Sequence, residues 1–333
     1  MDWIMNAKVV FLATENRPEF SIRRISEVSI ESSWKTICDT AELVLPRNVK
    51  DFDSKKVKDV FRRGDKVEIY LCYGMDEDLK LEFTGYITKV SAEYPIRIAL
   101  EDEMWKLKQT PINFAATNIK LDVFIKKFVK NYPVDIDVDV SLGAVRFSKV
   151  TFGEVLKKLQ DDFSIYSFIR NGTLTIAKPY SDVTEDVPAF DLERDCVSND
   201  LNYLSKDERL VKIIGQSMQT LAKAVKKREK DKKLKFEFGD ADATSTINWT
   251  FSVTSLKDLE REVKRMYHDW KKEGWDGSFT TFGFPFLQHG QKVKLTSSLY
   301  EDRSGIYYID GLKKTFNIDG FRQVPELGPA FIR

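Results

Sequence analysis

The side chains that most often carry chemistry are sparse and scattered in this sequence. Two histidines, His268 and His289, stand apart, and neither has a second ligand type at metal-site spacing. There is no His-Glu-x-x-His run, no Cys-x-x-Cys pair and no Asp-rich calcium loop. The Gly-x-Ser-x-Gly elbow that exposes a serine nucleophile is absent, as are the Gly-rich loops that cradle phosphate. Cys38, Cys72 and Cys196 are odd in number and far apart, which reads as reduced thiols of a chain made in the cytosol. With 52 carboxylates some pair always lies at glycosidase distance, so spacing selects no acid and base. The expectation is no catalytic residue, no metal and no cofactor.

Three weaker features remain. Between Lys223 and Lys235, Lys223, Lys226, Lys227, Arg228, Lys230, Lys232, Lys233 and Lys235 oppose Glu229 and Asp231 for a net +6. The run has no aromatic side chain for base stacking and lies between two strand candidates, so it reads as a solvated hairpin tip or loop rather than a nucleic-acid site. The whole chain, with 53 basic and 52 acidic side chains and a net charge of +1, gives no general electrostatic case for nucleic acid or a membrane surface. Phe279, Phe282, Phe284 and Phe286 alternate as a strand would. One face in a core is the default reading, with a subunit or ligand surface as the alternative. Trp34, Trp105, Trp249, Trp270 and Trp275 could stack on sugars, but they are spread over every expected domain.

The elements that must position these residues are mostly strands. A length of 333 residues predicts two or three domains, and 42% hydrophobic with 32% charged residues supports buried cores under a solvated surface. Aromatics at 12% favour a β-rich protein. Asp2 precedes a short apolar run and no uncharged stretch reaches about 18 residues, which predicts neither a signal peptide nor a membrane span. Val9 to Leu12, Ser26 to Glu31 and Thr40 to Leu45 alternate as half-buried strands. Lys66 to Leu71 and Leu81 to Val90 form a hairpin, and Ile96 to Leu100 a further strand. Leu121, Phe124, Ile125, Phe128 and Val129 predict an amphipathic helix over 118–132, entered through Asn118. Thr151 and Glu154 stand at capping-box spacing before a second helix, and Asn171-Gly172 predicts a two-residue hairpin turn. Strands are expected again at 210–214, 235–238 and 247–253. A long helix, capped by Ser255, is expected over 255–272, then a hairpin through 293–295 and 306–309. These boundaries give a first β domain over 1–108, a small α+β domain over 112–180, and a second β domain over 181–333 with the helix inserted.

The two ends of the chain also resemble each other. Laying Gly64 on Gly290 places Lys66 on Lys292, Val67 on Val293, Ile69 on Leu295, Asp76 on Asp302 and Gly85 on Gly311, so that two glycines keep a separation of 21 in both halves. The repeat predicts two related β-hairpin units.

Several segments, in order, resemble the central baseplate hub proteins of contractile phage tails: the tail hub of Mu-like phages, the late-control D family and the base of the VgrG spike. They are Trp34, the apolar strand ending at Pro46, Gly64-Asp65-Lys66-Val67, Phe83-Thr84-Gly85-Tyr86-Ile87, and the acidic segment with Asp102 and Trp105. Thr151 to Leu156, Asn171 to Leu174, Gly290 to Val293, Gly305 to Ile309 and Gly320 to Gly328 continue the series. The resemblance implies a fold that is mainly β with α+β parts: two related β-barrel domains, a small α+β domain and a long amphipathic helix. It implies a non-enzymatic homotrimer whose six barrels mate with a sixfold tail tube while the other end meets a threefold spike. Partners would be the tube protein, a spike or needle protein, and other baseplate or tape-measure proteins. The chain would be made in the host cytoplasm and reside in the virion tail. Structural roles fall on Trp34, Pro46, Gly64, Asp65, Phe83, Gly85, Tyr86, Asp102, Trp105, Gly290, Gly305, Gly311, Gly320 and Gly328. The basic segment is longer than this group implies. The chain also ends at Arg333 without a spike or lysozyme domain, so a needle would be a separate polypeptide. A type VI or extracellular injection device is the alternative machine, and a cell-wall glycan-processing or glycan-binding protein is the alternative of another class.

Overall fold

The computed structural model describes residues 4–46, 60–91, 95–142, 144–176, 179–180, 187–217 and 234–330. The first half is set by period-two alternation: β1 (Met5–Phe11), β2 (Phe20–Ile22), β3 (Glu27–Ser33), β4 (Thr40–Leu45), β5 (Lys66–Tyr73), β6 (Lys80–Val90) and β7 (Ile96–Asp102). In β5, Val67, Ile69 and Leu71 are buried while Lys66, Glu68 and Tyr70 between them stay half-exposed. The inward side chains meet Phe11, Leu43, Phe83, Ile87 and Ile98 in one core. Burying each contributes about 1.5–3 kcal/mol, which is what drives the sheet to curl.

The middle of the chain gathers a second core from α1 (Met104–Lys108), β8 (Pro111–Ala116), α2 (Leu121–Phe128), β9 (Val134–Ile136), β10 (Val145–Thr151), α3 (Phe152–Phe163), β11 (Ser167–Arg170) and β12 (Thr173–Ile176). The capping box forms as its spacing predicts. The Glu154 N–H donates to Thr151 Oγ1 at 3.3 Å, and the Thr151 N–H donates to the Glu154 carboxylate at 2.6 Å. Asn171 and Gly172 take the positive φ angles, 48° and 73°, that join β11 to β12 in two residues. The helix expected over 118–132 is shorter, running Leu121–Phe128. Its entry is held by strand-like contacts: the Leu121 N–H donates to the Val140 carbonyl at 2.9 Å, and Asn118 accepts from Ser141 instead of capping.

The remainder holds β13 (Ala189–Asp191), β14 (Cys196–Leu204), β15 (Val211–Ser217), β16 (Leu234–Gly239), β17 (Ser245–Thr250), α4 (Leu256–Trp270), β18 (Gly274–Phe282), β19 (Lys292–Thr296), β20 (Gly305–Asn317) and β21 (Gly320–Ala330). Here the strands at 211–250 depart from expectation. β15, β16 and β17 form their own three-stranded sheet, order β16-β15-β17, and not part of the large sheet. Leu259 and Val263 of α4 pack on Val211 and Ile213, so the helix and these strands bury one small core between β14 and β18. Gly215 is required there, because a Cβ on it would stand 2.1 Å from Val263 Cγ2. Lys223 to Lys233 of the basic run, and the linker at 181–186, lie outside the described residues; Lys235 sits on β16, paired with Glu237 at 2.7 Å.

Leaving β2 aside, each half contributes six strands to one continuous sheet in the same order. The first half reads β1-β5-β6-β7-β4-β3 and the second β13-β19-β20-β21-β18-β14. The first, fourth, fifth, sixth, third and second strands of each half thus stand side by side, and neighbours are antiparallel in both halves with one exception. β13 runs parallel to β19, whereas β1 runs antiparallel to β5. Closed barrels are not what strand pairing makes here: among the described residues β1 does not pair with β3, nor β13 with β14, and the two halves join into a single 13-stranded sheet.

The backbone also corrects the glycine alignment. The Gly64 N–H donates to the Ile87 carbonyl at 2.8 Å and the Ile87 N–H to that of Asp65 at 3.0 Å. In the second half Gly290 donates to Ile309 at 2.6 Å and Ile309 to Gln291 at 2.9 Å. Gly64 therefore matches Gly290, but Ile87 matches Ile309, and the hairpin between these anchors is shorter in the second half. The partner of Gly85 is Tyr307, opposite Val293 as Gly85 is opposite Val67, and the second-glycine match to Gly311 is a coincidence of register. A register shift follows Ile87 in the β6–β7 ladder and Ile309 in the β20–β21 ladder, so the bulge itself is repeated.

Candidate functional site

The features that organise this molecule lie where its parts meet. β20 carries β21 along one edge. Its other edge is shared: Gly305–Tyr308 pairs with β19, and Gly311–Phe316 pairs with Ser33–Val28 of β3. The second half thereby joins the first strand to strand, and Phe316 and Phe321 reach across into the first core. Two side-chain contacts reinforce the seam. The Tyr73 hydroxyl accepts from the Phe321 N–H at 2.8 Å and donates to its carbonyl at 2.9 Å. Lys314 of β20 pairs with Glu82 of β6, both almost wholly buried, with the ammonium 3.9 Å from the centre of the Phe286 ring. Burial pushes the Lys314 ammonium down and the Glu82 carboxyl up, each held back by the other.

Asp310, in the bulge of β20, is the node at which all three parts meet. Its Oδ1 accepts from the Tyr180 hydroxyl at 2.6 Å and from Trp34 Nε1 at 3.2 Å, Lys35 lies 2.8 Å from Oδ2, and its carbonyl accepts from Ser33 Oγ at 3.0 Å. Trp34 meets Tyr166 edge-on at 4.5 Å and Tyr180 stacks on Tyr308 at 4.5 Å, so an aromatic collar dries the node. Gly328 leaves the room: a Cβ there would stand 2.3 Å from Asp310 Oδ1. The Tyr180 phenol is held well above its usual range, first by burial and then by Asp310.

A second polar cluster borders a cleft of about 390 Å³ between the halves and the middle hairpin. Arg170 donates to the His289 carbonyl and, at 3.2 Å, to His289 Nδ1. His289 Nε2 is 3.9 Å from Asp39, whose Oδ1 accepts from the Ser33 N–H at 3.2 Å. Burial pulls His289 down to about 3, so it is neutral, and lowers Arg170 to about 10. Burial pushes Asp39 up to about 7 against the pull of Arg170 and the Ser33 N–H, and raises its neighbour Asp102 as well. Between its ordinary 3.8 and about 7, folded Asp39 holds a proton that the unfolded chain has released, so its contribution to stability falls as pH rises through that window. Asp39→Asn keeps the acceptor for Ser33 and removes the charge. In denaturant titrations it is expected to equal the parent near pH 4 and to exceed it by on the order of 4 kcal/mol at pH 8. A parent whose deficit does not grow with pH would contradict this assignment.

The residues singled out in the sequence distribute around these contacts. Gly64, at φ +93°, opens β5 where the Trp105 ring passes 3.6 Å from its would-be Cβ, and Trp105 stacks on Tyr86 at 5.7 Å. Asp65 takes Arg17 at 3.5 Å, and Asp102 accepts the Met104 N–H at 3.1 Å at the start of α1. Phe83 lies in the first core, and Pro46 follows β4. Gly290, at φ +75°, lets Pro179 and Arg170 of the middle segment approach; Gly305 opens β20, Gly311 faces Ser33 across the joint, and Gly320 makes the turn into β21 at φ +127°. The phenylalanine strand ends at Phe282 rather than Phe286. Phe279 is buried in the core of the second half. Phe282 and Phe284 stand by Tyr73, at 6.1 and 6.0 Å, and Phe286 meets the Lys314 ammonium on its ring while it, like Phe284, stays partly exposed. Asp310, Tyr180, Asp39 and Arg170 were not found from sequence; isolated polar residues in strands and loops carry no local sign of what they meet. Among the described residues no group of three or more His, Cys, Asp or Glu could hold a metal, and no helix is long and apolar enough to cross a membrane.

These features define a class: a mainly β protein of two like-ordered halves in one sheet, with buried polar clusters at the joints between its parts. That fold is the one found in phage tail proteins, as the sequence motifs imply. The tail protein of Neisseria meningitidis MC58 aligns with 97% of this chain and 96% of its own at 14% identity and a TM-score of 0.62. The tail protein of prophage MuSo2 from Shewanella oneidensis aligns over 97% and 98% at 13% identity and a TM-score of 0.61. The Escherichia coli c3393 protein, described as a component of the type VI secretion system, aligns over 92% and 73% at 9% identity and 0.55. No family model matches the sequence, and no curated protein matches it.

Proposed function

We propose that this chain is a structural hub at the base of a phage or prophage tail, a homotrimer that adapts a sixfold tube to a threefold spike. The single observation that carries the reading is the repeated strand order. A chain with two like-ordered halves presents six similar units when three copies close into a ring, and one distinct end per chain at threefold positions. The likeness in fold to phage tail proteins over nearly the whole chain supports a tail setting, and the type VI relative keeps a secretion machine as the second reading. The function then lies in interfaces rather than in a reaction centre, with tube and spike proteins as the partners. Native mass measurement of the purified chain tests it. The expected species is three times 38.6 kDa, in equilibrium with monomer on dilution; a stable dimer or hexamer would overturn the reading.

A further inference from the structure

The joint inside the chain contains instructions for a joint between chains. Register equivalences propagate from Ile87 and Ile309 toward the joint; the additional shift of the β20–β21 ladder, between Tyr307 and Ile309, lies on the other side of these anchors. The pairs Ile87–Leu100 and Lys89–Ala99 match Ile309–Leu327 and Gly311–Glu326, Glu42 opposite Ala99 matches Ser278 opposite Glu326, and Ser29 opposite Glu42 matches Asp200 opposite Ser278. β3 is thus the counterpart of β14, with Ser32 and Ser33 in the places of Tyr203 and Leu204, and Gly311 and Leu312 of β20 hold the places of Lys89 and Val90 of β6. Within the chain, Ser33 pairs with Gly311 and Ser32 with Leu312. The counterpart edges are both open among the described residues: β14 pairs only with β18, and β6 has no strand partner beyond Tyr86 on the side that carries β5.

We infer that β14 of one chain adds antiparallel to the end of β6 of the next copy, in the register Tyr203 opposite Val90 and Leu204 opposite Lys89. This rests on the proposed ring and specifies its seam. The occupant is a second copy because both edges are already matched, once, inside the chain. The operation that carries the first half onto the second places a β6-type edge beside β14 when it is repeated. Backbone pairing supplies the affinity in such an addition, and the flanking side chains supply the register. Here the pairing would set Val90, half-buried on the first core, beside Tyr203, which meets Trp275 edge-on at 5.1 Å. A head-to-tail contact of this kind uses two different surfaces, so it does not stop at a dimer, and with the rotation of the proposed ring it closes at three chains.

Opposed residues of an antiparallel pair stand about 4.5–5.5 Å apart at Cα, within reach of a disulfide. The full chain carrying Val90→Cys with Tyr203→Cys is expected to run as covalent trimers on non-reducing gels after mild oxidation, and neither single variant should. Lys89→Cys with Leu204→Cys gives the same test at an adjoining position where Lys89 is solvent-exposed, should the first pair fold poorly. The offset pair Lys89→Cys with Asn202→Cys should remain uncrosslinked. Trimers by native mass whose offset pair links, or whose in-register pairs both fail to link, would overturn the seam while leaving the trimer intact. A chain that stays monomeric at its highest soluble concentration and links in no pair would overturn the seam together with the ring.

Discussion

Asp310→Ala is expected to destabilise the protein by roughly 3–5 kcal/mol. The change removes an acceptor of the buried Trp34 Nε1 and the acceptor of the buried Tyr180 hydroxyl and leaves the Lys35 ammonium without the nearer of its two carboxylates. An unpartnered buried donor costs about 1–3 kcal/mol; the Tyr180 hydroxyl becomes one, while Trp34 loses one of its two acceptors and keeps the Tyr180 oxygen, and the loss at Lys35 adds to this. Asp310→Asn separates the contributions. An amide oxygen still accepts from both donors, so only the attraction to Lys35 is lost; with that side chain 46% exposed and Glu326 still 3.3 Å away, the expected cost is about 1 kcal/mol. Denaturant midpoints read the series. Equal losses for the two variants would mean that the charge, not the hydrogen bonds, holds the node.

Gly85→Ala is expected to be at least as damaging, while Gly311→Ala is expected to be nearly silent. A Cβ on Gly85 would stand 2.2 Å from the Glu101 carbonyl oxygen and 2.5 Å from Phe83, between two backbones that cannot separate without breaking the β6–β7 ladder. The loss should exceed about 3 kcal/mol. On Gly311 the nearest atom would be a Glu326 carboxylate oxygen at 3.2 Å, at the end of a half-exposed side chain that can turn aside, and the expected change is below about 1 kcal/mol. Thermal melts of the two variants decide between the alignments. Similar losses would restore the equivalence of the two glycines that their spacing suggests and that the hydrogen-bond pattern denies.

That pair shows what sequence reading captures here and what escapes it. Alternation located β3 to β7 and the final hairpin because side chains in a half-buried strand must face alternately in and out. Gly64 and Gly290 were matched correctly because both open a strand at positive φ. The match failed at the return strand, since β5 and β19 differ in length and pattern carries no hydrogen-bond register. The strands at 211–250 were visible as strands, but nothing local says which sheet a strand will join, and α4 rather than the large sheet covers them. The joint was beyond reach. Trp34 and Asp310 are 276 residues apart, and an aspartate in a strand gives no hint that a tryptophan, a tyrosine and a lysine converge on it. Trp34, Gly290 and Gly328 could be singled out by motif, yet their purpose emerges only where the three parts meet.

The central claim, three chains presenting six units, is tested most directly by an electron-microscopy reconstruction of the protein assembled with the tube proposed as its partner, computed without imposed symmetry. The expected map has three copies of the chain forming a ring of six similar sheet-built lobes. Its lobes would alternate between first and second halves, with the β15–β17 sheets and their helices at three positions only. Six copies in the ring, or lobes that do not alternate, would contradict it.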